Sequence, residues 1–206
     1  MLNRLYEIGK KHYFMEEKAI KDIPKSCCKN EKCLVIDFDK LKEKIVKKHN
    51  LQTVSSCDGL KICIENDLIE FIELKSIKKF IENQKKLTKE KIDKQIKRFD
   101  FEKKIEDSLF LLNVLLRSNT SDLKKEDLEK FKDIKKRYFV VTDLELENNP
   151  LYNLDFTLKF LSEYPPYQSY IKICIENKLN KIELCFLIEK PRLLSCKDIC
   201  KILCKI

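Results

Sequence analysis

The sequence predicts an α/β domain: a central mixed β-sheet flanked by helices. Three observations carry that reading. Two β-prone runs, Leu60–Ile64 and Leu68–Leu74, flank a polar turn at Glu65-Asn66-Asp67, where Asn and Asp tolerate the backbone conformations of a tight turn. A further β-run, Arg137–Thr142, follows only after a long helix-prone connection, which a mixed sheet needs between strands not joined by a tight turn. Hydrophobic residues make up 43% of 206, with only 2 Gly and 5 Pro. That is enough apolar material for a core and too few breakers for a loop-rich chain, so wholesale disorder is excluded and one domain suffices.

Taken in order, Leu2–Lys18 reads as a short helix of mixed charge. Pro24 and the Cys27-Cys28 pair mark a loop. Residues 1–36 are thus an N-terminal helix and loop, and residues 37–206 the core, of a single domain. Asp37 or Asp39 can cap a helix running to about His49, with Leu41, Ile45 and Val46 as its apolar side. In the first strand of the hairpin Leu60, Ile62 and Ile64 alternate with Lys61, Cys63 and Glu65, the pattern of a half-buried strand. The second strand has Ile72 and Leu74 on one face and Ile69 and Phe71 on the other, which places it inside the sheet.

Ser76–Lys86 reads as a helix, and Lys89–Arg117 as a longer one with an apolar stripe from Ile92 to Leu116. Lys91, Lys94, Lys97, Arg98, Lys103 and Lys104 crowd its first half. Lys91, Lys94, Lys97 and Arg98 are candidates to track a phosphate backbone; a solvated helix face is the plainer account. Leu123–Lys136 is a short helix or loop, and 143–149 an acidic loop. Leu151–Glu163 reads as a helix broken at Tyr164-Pro-Pro-Tyr167. Tyr170–Ile175 and Lys181–Ile188 read as a second hairpin, and Ser195–Lys205 as a final helix. The hexapeptide Lys-Ile-Cys-Ile-Glu-Asn occurs at 61–66 and again at 172–177, with Ser169 and Cys185 where Asp58 and Lys75 would align.

A formal net charge of +9 favours a polyanionic partner. No apolar run is long enough to cross a bilayer, and the start, Met1-Leu-Asn-Arg, lacks a signal-peptide core. The expectation is a cytoplasmic protein without a membrane partner, most of whose 10 Cys act as small hydrophobes. Cys27, Cys28 and Cys33 invite a zinc hypothesis, but the second spaced pair of a zinc finger is not evident. Cys196, Cys200 and Cys204 recur at helical spacing and read as a buried stripe. His12 and His49 read as surface residues.

One constellation carries chemistry. Asp58 sits at the open end of the first hairpin strand, and Glu73 and Lys75 at the end of the second. Residues two apart share a face, so Glu73 and Lys75 continue an otherwise apolar face next to Asp58. Charges there are costly unless solvated, paired or metal-bound. Asp58 and Glu73 supply hard oxygen ligands suited to Mg²⁺ or Mn²⁺, and such an ion polarises a phosphodiester and acidifies a bound water. Lys75 can orient that water and offset charge in the transition state.

Asp58 followed by Glu73-Leu74-Lys75 after a hairpin-length gap resembles the PD-(D/E)XK nuclease superfamily. Cys57 stands where that motif has its proline, and the Gln and Tyr spaced by four on the following helix in some members are absent. The resemblance implies a restriction-endonuclease-like core. It implies a metal held by Asp58, Glu73 and the Leu74 carbonyl, with Lys75 catalytic. An outer acid on the preceding helix would be Glu43, with Asp39 next; Glu43 also reads as a solvated residue between Lys42 and Lys44. The expected activity is Mg²⁺- or Mn²⁺-dependent hydrolysis of phosphodiester bonds, in DNA before RNA, in a defence-type setting, by a homodimer or with an accessory protein. The alternative is a non-catalytic nucleic-acid-binding or protein-interaction module on the same scaffold.

Overall fold

The computed structural model describes residues 1–52, 54–84, 87–119, 123, 125–144 and 167–205. Its centre is a sheet in the order β1-β2-β3-β4-β5-β6: β1 (Glu17–Ala19), β2 (Leu34–Asp37), β3 (Gly59–Cys63), β4 (Leu68–Lys75), β5 (Lys135–Thr142) and β6 (Arg192–Ser195). β1 to β4 are antiparallel neighbours, whereas β4, β5 and β6 run parallel. The sheet is mixed, as the sequence predicts, and β4 lies inside it. The β3–β4 hairpin pairs Gly59 with Ile72 through Cys63 with Leu68. Its turn is a 3₁₀ segment, Ile64–Asn66, closed by Asp67 at φ 48°, a left-handed conformation that Asp tolerates better than bulkier residues.

The helices are α1 (Leu2–Tyr13), α2 (Phe38–His49), α3 (Ile77–Glu82), α4 (Lys89–Lys97), α5 (Phe101–Arg117), α6 (Lys125–Asp133), α7 (Tyr167–Leu179) and α8 (Ile199–Ile202). On one sheet face Ile36, Leu60, Ile69, Phe71, Tyr138 and Val140 join residues of α1, α2, α4, α5 and α7 in one buried cluster. On the other face Val35, Ile72, Leu74, Phe139 and Val141 pack under Ile20, Ile23, Cys28, Cys33 and Ile199. The second layer is thin: a 3₁₀ turn, the cysteine loop and the short α8.

Several boundaries differ from expectation. The first helix stops at Tyr13, because Phe14 takes a left-handed φ of 48° and its amide bonds back to Gly9. The expected N-terminal loop contains β1 and β2, so the first 37 residues contribute to the sheet. α2 is capped by Asp37, whose Oδ1 accepts from the Lys40 amide at 3.0 Å; Asp39 is thereby free to face elsewhere. The predicted 89–117 helix is two helices. The buried stripe steps from Ile96 to Phe101, five residues where one straight helix needs three or four, and the chain turns at Arg98–Asp100. His49 is half-buried, its Nε2 2.7 Å from the Tyr13 hydroxyl.

The second hairpin is not formed: Tyr167–Leu179 is helix α7. Ile171, Ile175 and Leu179 are all buried at i, i+4 and i+8, so the helical period wins over strand alternation. Tyr170 donates to Asp93 on α4 at 2.8 Å and Lys178 to the Ile96 carbonyl at 3.0 Å. The final helix shortens to α8, with β6 before it. The expected acidic loop beyond Leu144, the Leu151–Glu163 helix and its Pro-Pro break lie outside the described residues. Among the described residues no helix is long and apolar enough to cross a membrane.

Candidate active site

The hairpin brings Asp58, Glu73 and Lys75 together at the carboxyl end of β4. The Asp58 carbonyl accepts from the Phe38 amide at 3.1 Å, tying it to the start of α2. Its side-chain Oδ2 accepts from the Leu74 amide at 2.7 Å. A residue's N–H and C=O leave the same edge of a strand, so the Leu74 carbonyl is directed to the Asp58 side as well. Continuing the Gly59–Ile72 register by one step sets Asp58 beside Glu73.

Glu73 is fully buried. Its Oε1 accepts from Lys75 Nζ in a short contact and from Lys104 Nζ at 2.7 Å. Its Oε2 has no partner, and neither has the buried Tyr138 hydroxyl. Two unsatisfied oxygens on the same sheet face are costly unless another group completes them. Lys75 and Lys104 keep 19% and 26% of their side chains exposed, so the site communicates with solvent past the two ammonium groups. Lys75 Nζ lies 5.2 Å from the centroid of the Phe99 ring at the α4–α5 joint, a cation–π distance.

The electrostatics follow from this crowding. Burial, and then the charge of Glu73, push the Asp58 carboxyl up to about 6, against Lys75, Lys104 and the Leu74 amide. Burial pulls Lys104 down, but the charges of Glu73 and Asp58 outweigh it and its pKa is raised. Lys104 is the residue the sequence reading did not single out. A signal for it exists: α5 buries Phe101, Ser108, Leu111 and Leu115, and Lys104 falls on that inward stripe at helical spacing.

Cys57 occupies the motif's proline position for a visible reason. Its amide donates to Ser108 Oγ at 2.9 Å, and proline has no N–H to give. Burial pushes the Cys57 thiol well above the usual range, so it is a packing residue. Of the two acids on α2, Glu43 is exposed, and no described contact joins it to Asp58 or Glu73. Asp39 approaches more closely: its Oδ1 accepts from Ser56 Oγ at 2.5 Å and from Lys42 Nζ at 2.6 Å. Burial pushes Asp39 up, but these bonds and the charges of Lys42 and Lys104 bring it below the ordinary value. Lys91, Lys94, Lys97 and Arg98 are exposed on α4 and at its end, Arg98 directly before Phe99 in the chain.

The opposite sheet face holds a second buried charge pair, Glu70 with Arg137. Glu70 Oε2 also accepts from the Cys204 amide at 3.0 Å, and Cys204 forms a disulfide with Cys63. These cysteines are therefore not lone hydrophobes, and Cys196, Cys200 and Cys204 do not share one helix face. Cys27, Cys28 and Cys196 converge on the same side of the sheet.

Comparison with family models, with curated proteins and with solved structures finds no match for this chain. Asp58 and Glu73 offer hard carboxylate oxygens, one of them unsatisfied, with a backbone carbonyl at the same strand edge. That donor set fits Mg²⁺ or Mn²⁺, which take oxygen ligands and complete their shells with water and phosphate.

Proposed function

We propose that the protein is a metal-dependent phosphodiesterase of the nuclease type, acting on DNA, with a site of the PD-(D/E)XK kind. The observation that carries this reading is the pair Asp58 and Glu73 at the end of an interior strand. One oxygen of Glu73 is orphaned in the interior, and two lysines stand at the opening. Asp58, Glu73 and the Leu74 carbonyl would hold the divalent cation, which supplies polarisation of the phosphate and a water of lowered pKa. Lys75 donates from the rim to the attacking water or a non-bridging phosphate oxygen. Lys104 offsets the Glu73 charge in the resting site. Asp39 is the outer acid in preference to Glu43. The exposed cations of α4 supply contacts to the sugar-phosphate backbone, and a homodimer or accessory protein brings the second strand.

The second reading, a scaffold that binds nucleic acid or protein without cutting, is favoured by one observation: Lys75 and Lys104 already neutralise Glu73 without a metal. Cleavage of supercoiled plasmid, linear duplex, single-stranded DNA and RNA, each with Mg²⁺, Mn²⁺ or EDTA, separates the two. The expected result is metal-dependent cutting that disappears in Asp58→Asn. Lys75→Ala should lower the rate by about 10²-fold or more with metal affinity retained, the scale of removing one donor from developing charge. Cutting that survives Asp58→Asn overturns the site. DNA binding without cutting under every condition selects the second reading.

A further inference from the structure

We infer that Cys27, Cys28 and Cys196 form a second, chemically distinct metal site, for a thiophilic divalent cation of the zinc type, with its fourth ligand drawn from solvent. The three sulfurs arrive from segments 168 and 169 residues apart: Cys28 Sγ lies 2.8 Å and Cys27 Sγ 3.2 Å from Cys196 Sγ. All three lie within 4.8 Å of one another. A tetrahedral zinc with bonds of about 2.3 Å separates its thiolates by roughly 3.8 Å, so a small outward shift of the side chains opens the cage.

The backbone that carries the sulfurs is fixed independently of them. The Cys196 amide donates to the Thr142 carbonyl at 2.9 Å, continuing the β5–β6 ladder. The Cys28 amide donates to Ser26 Oγ at 3.1 Å. The donors are thus preorganised by the sheet and the loop, as a metal site requires.

Cys28 is buried, and Cys27 and Cys196 pack against the same apolar cluster while staying half-exposed. Those two line a cavity of about 700 Å³ with Lys29, Thr142 and Ser195. A disulfide accounts for two sulfurs and leaves a third in contact. The two acids that line the cavity are committed elsewhere: Asp143 accepts from Ser76 Oγ and from the Ile77 and Lys78 amides at 2.8 to 3.0 Å, and Asp198 from Ser195 Oγ at 2.5 Å. Three thiolates with the fourth position facing the cavity is the arrangement that remains. Each thiol gives up its proton to solvent on binding. Soft sulfur ligands select zinc-like ions and the oxygens of Asp58 and Glu73 select magnesium-like ones. The two sites lie on opposite faces of the sheet, and this inference does not depend on the nuclease reading.

The test uses the full chain, isolated anaerobically without reductant so that Cys63–Cys204 stays closed. Metal analysis should find one zinc that survives exchange into Mg²⁺ buffer. Replacement by Co²⁺ should give a sulfur-to-cobalt charge-transfer band with the intensity of three thiolates. Cys196→Ser should lose the metal, and Cys185→Ser, on an exposed cysteine, should keep it. If Cys196→Ser does not fold, Cys27→Ala, at a half-exposed position, takes its place. No thiolate–cobalt band in the wild type overturns the site. So does a band of four-thiolate intensity, or peptide mapping that finds Cys196 disulfide-linked.

Discussion

Asp58 is strained by its company in a way that can be measured. Its carboxyl is raised in the fold to about 6, by burial first and the Glu73 charge second, above its unfolded value of about 3.9. The fold therefore holds that proton more tightly than the unfolded chain does. Stability is lost as pH rises from about 4 to about 6 and is level above that. Two pH units correspond to roughly 2–3 kcal/mol, less the screening from partial exposure. In metal-free buffer Asp58→Asn should equal the wild type below about pH 4 and exceed it by roughly 2 kcal/mol above pH 6 in urea denaturation. Mg²⁺ should then stabilise the wild type and not the variant. A variant weaker at every pH would show that Asp58 is a structural acceptor for the Leu74 amide. Asp58, Glu73 and Lys75 were legible in the sequence because a hairpin makes their meeting local. Lys104 was not, because its contact with Glu73 spans 31 residues and one lysine among many carries no mark beyond its inward phase on α5.

At the scale of elements, the repeated hexapeptide shows how far local sequence decides. Lys61–Asn66 lies in β3 and its turn, and Lys172–Asn177 in α7. The six residues are identical, so the flanks choose: Asp67 closes a turn and Leu68 opens β4 after the first copy, whereas after the second Leu179 continues the helical spacing of Ile171 and Ile175. The outcome inverts which isoleucine is buried. Ile62 is 8% and Ile175 0% exposed, but Ile64 is 44% and Ile173 38% exposed. Ile62→Ala and Ile175→Ala should each cost about 2–4 kcal/mol. Ile64→Ala and Ile173→Ala should each cost under about 1 kcal/mol. Equal losses at corresponding positions of the two copies, measured by denaturant midpoints, would contradict the assignment of a strand and a helix. β1 and β2 escaped the sequence reading for a related reason. They are three and four residues long, and Glu17-Lys18-Ala19 has no β-branched residue. Its strand state comes from pairing with Leu34–Ile36.

At the scale of the whole molecule, long-range ties and net charge do what no short window of sequence displays. Cys63–Cys204 joins positions 141 residues apart, and a loop of that order should contribute about 3–5 kcal/mol. Reduction, or Cys63→Ala with Cys204→Ala, should lower the urea midpoint accordingly. The charge of +9 is distributed, but the geometry gives it a direction. Lys75 rests over Phe99, and Arg98 immediately precedes that ring. On the proposed reading, a phosphate backbone engaged at Lys75 would pass the C-terminal end of α4, where Lys94, Lys97 and Arg98 stand exposed with Lys91 one turn back. Each phosphate contact adds about 0.9 to the slope of log affinity against log salt. Replacing Lys91, Lys94, Lys97 and Arg98 by Gln should therefore reduce the slope for duplex DNA by about 3 to 4. Asp58→Asn should leave it unchanged, because an acidic side chain contributes no counterion release. Titrations from low to physiological salt read this directly. A slope unaltered by the four substitutions would remove α4 from the DNA path and return its cations to the role of a solvated face, while leaving the Asp58–Glu73 site to be judged on cleavage alone.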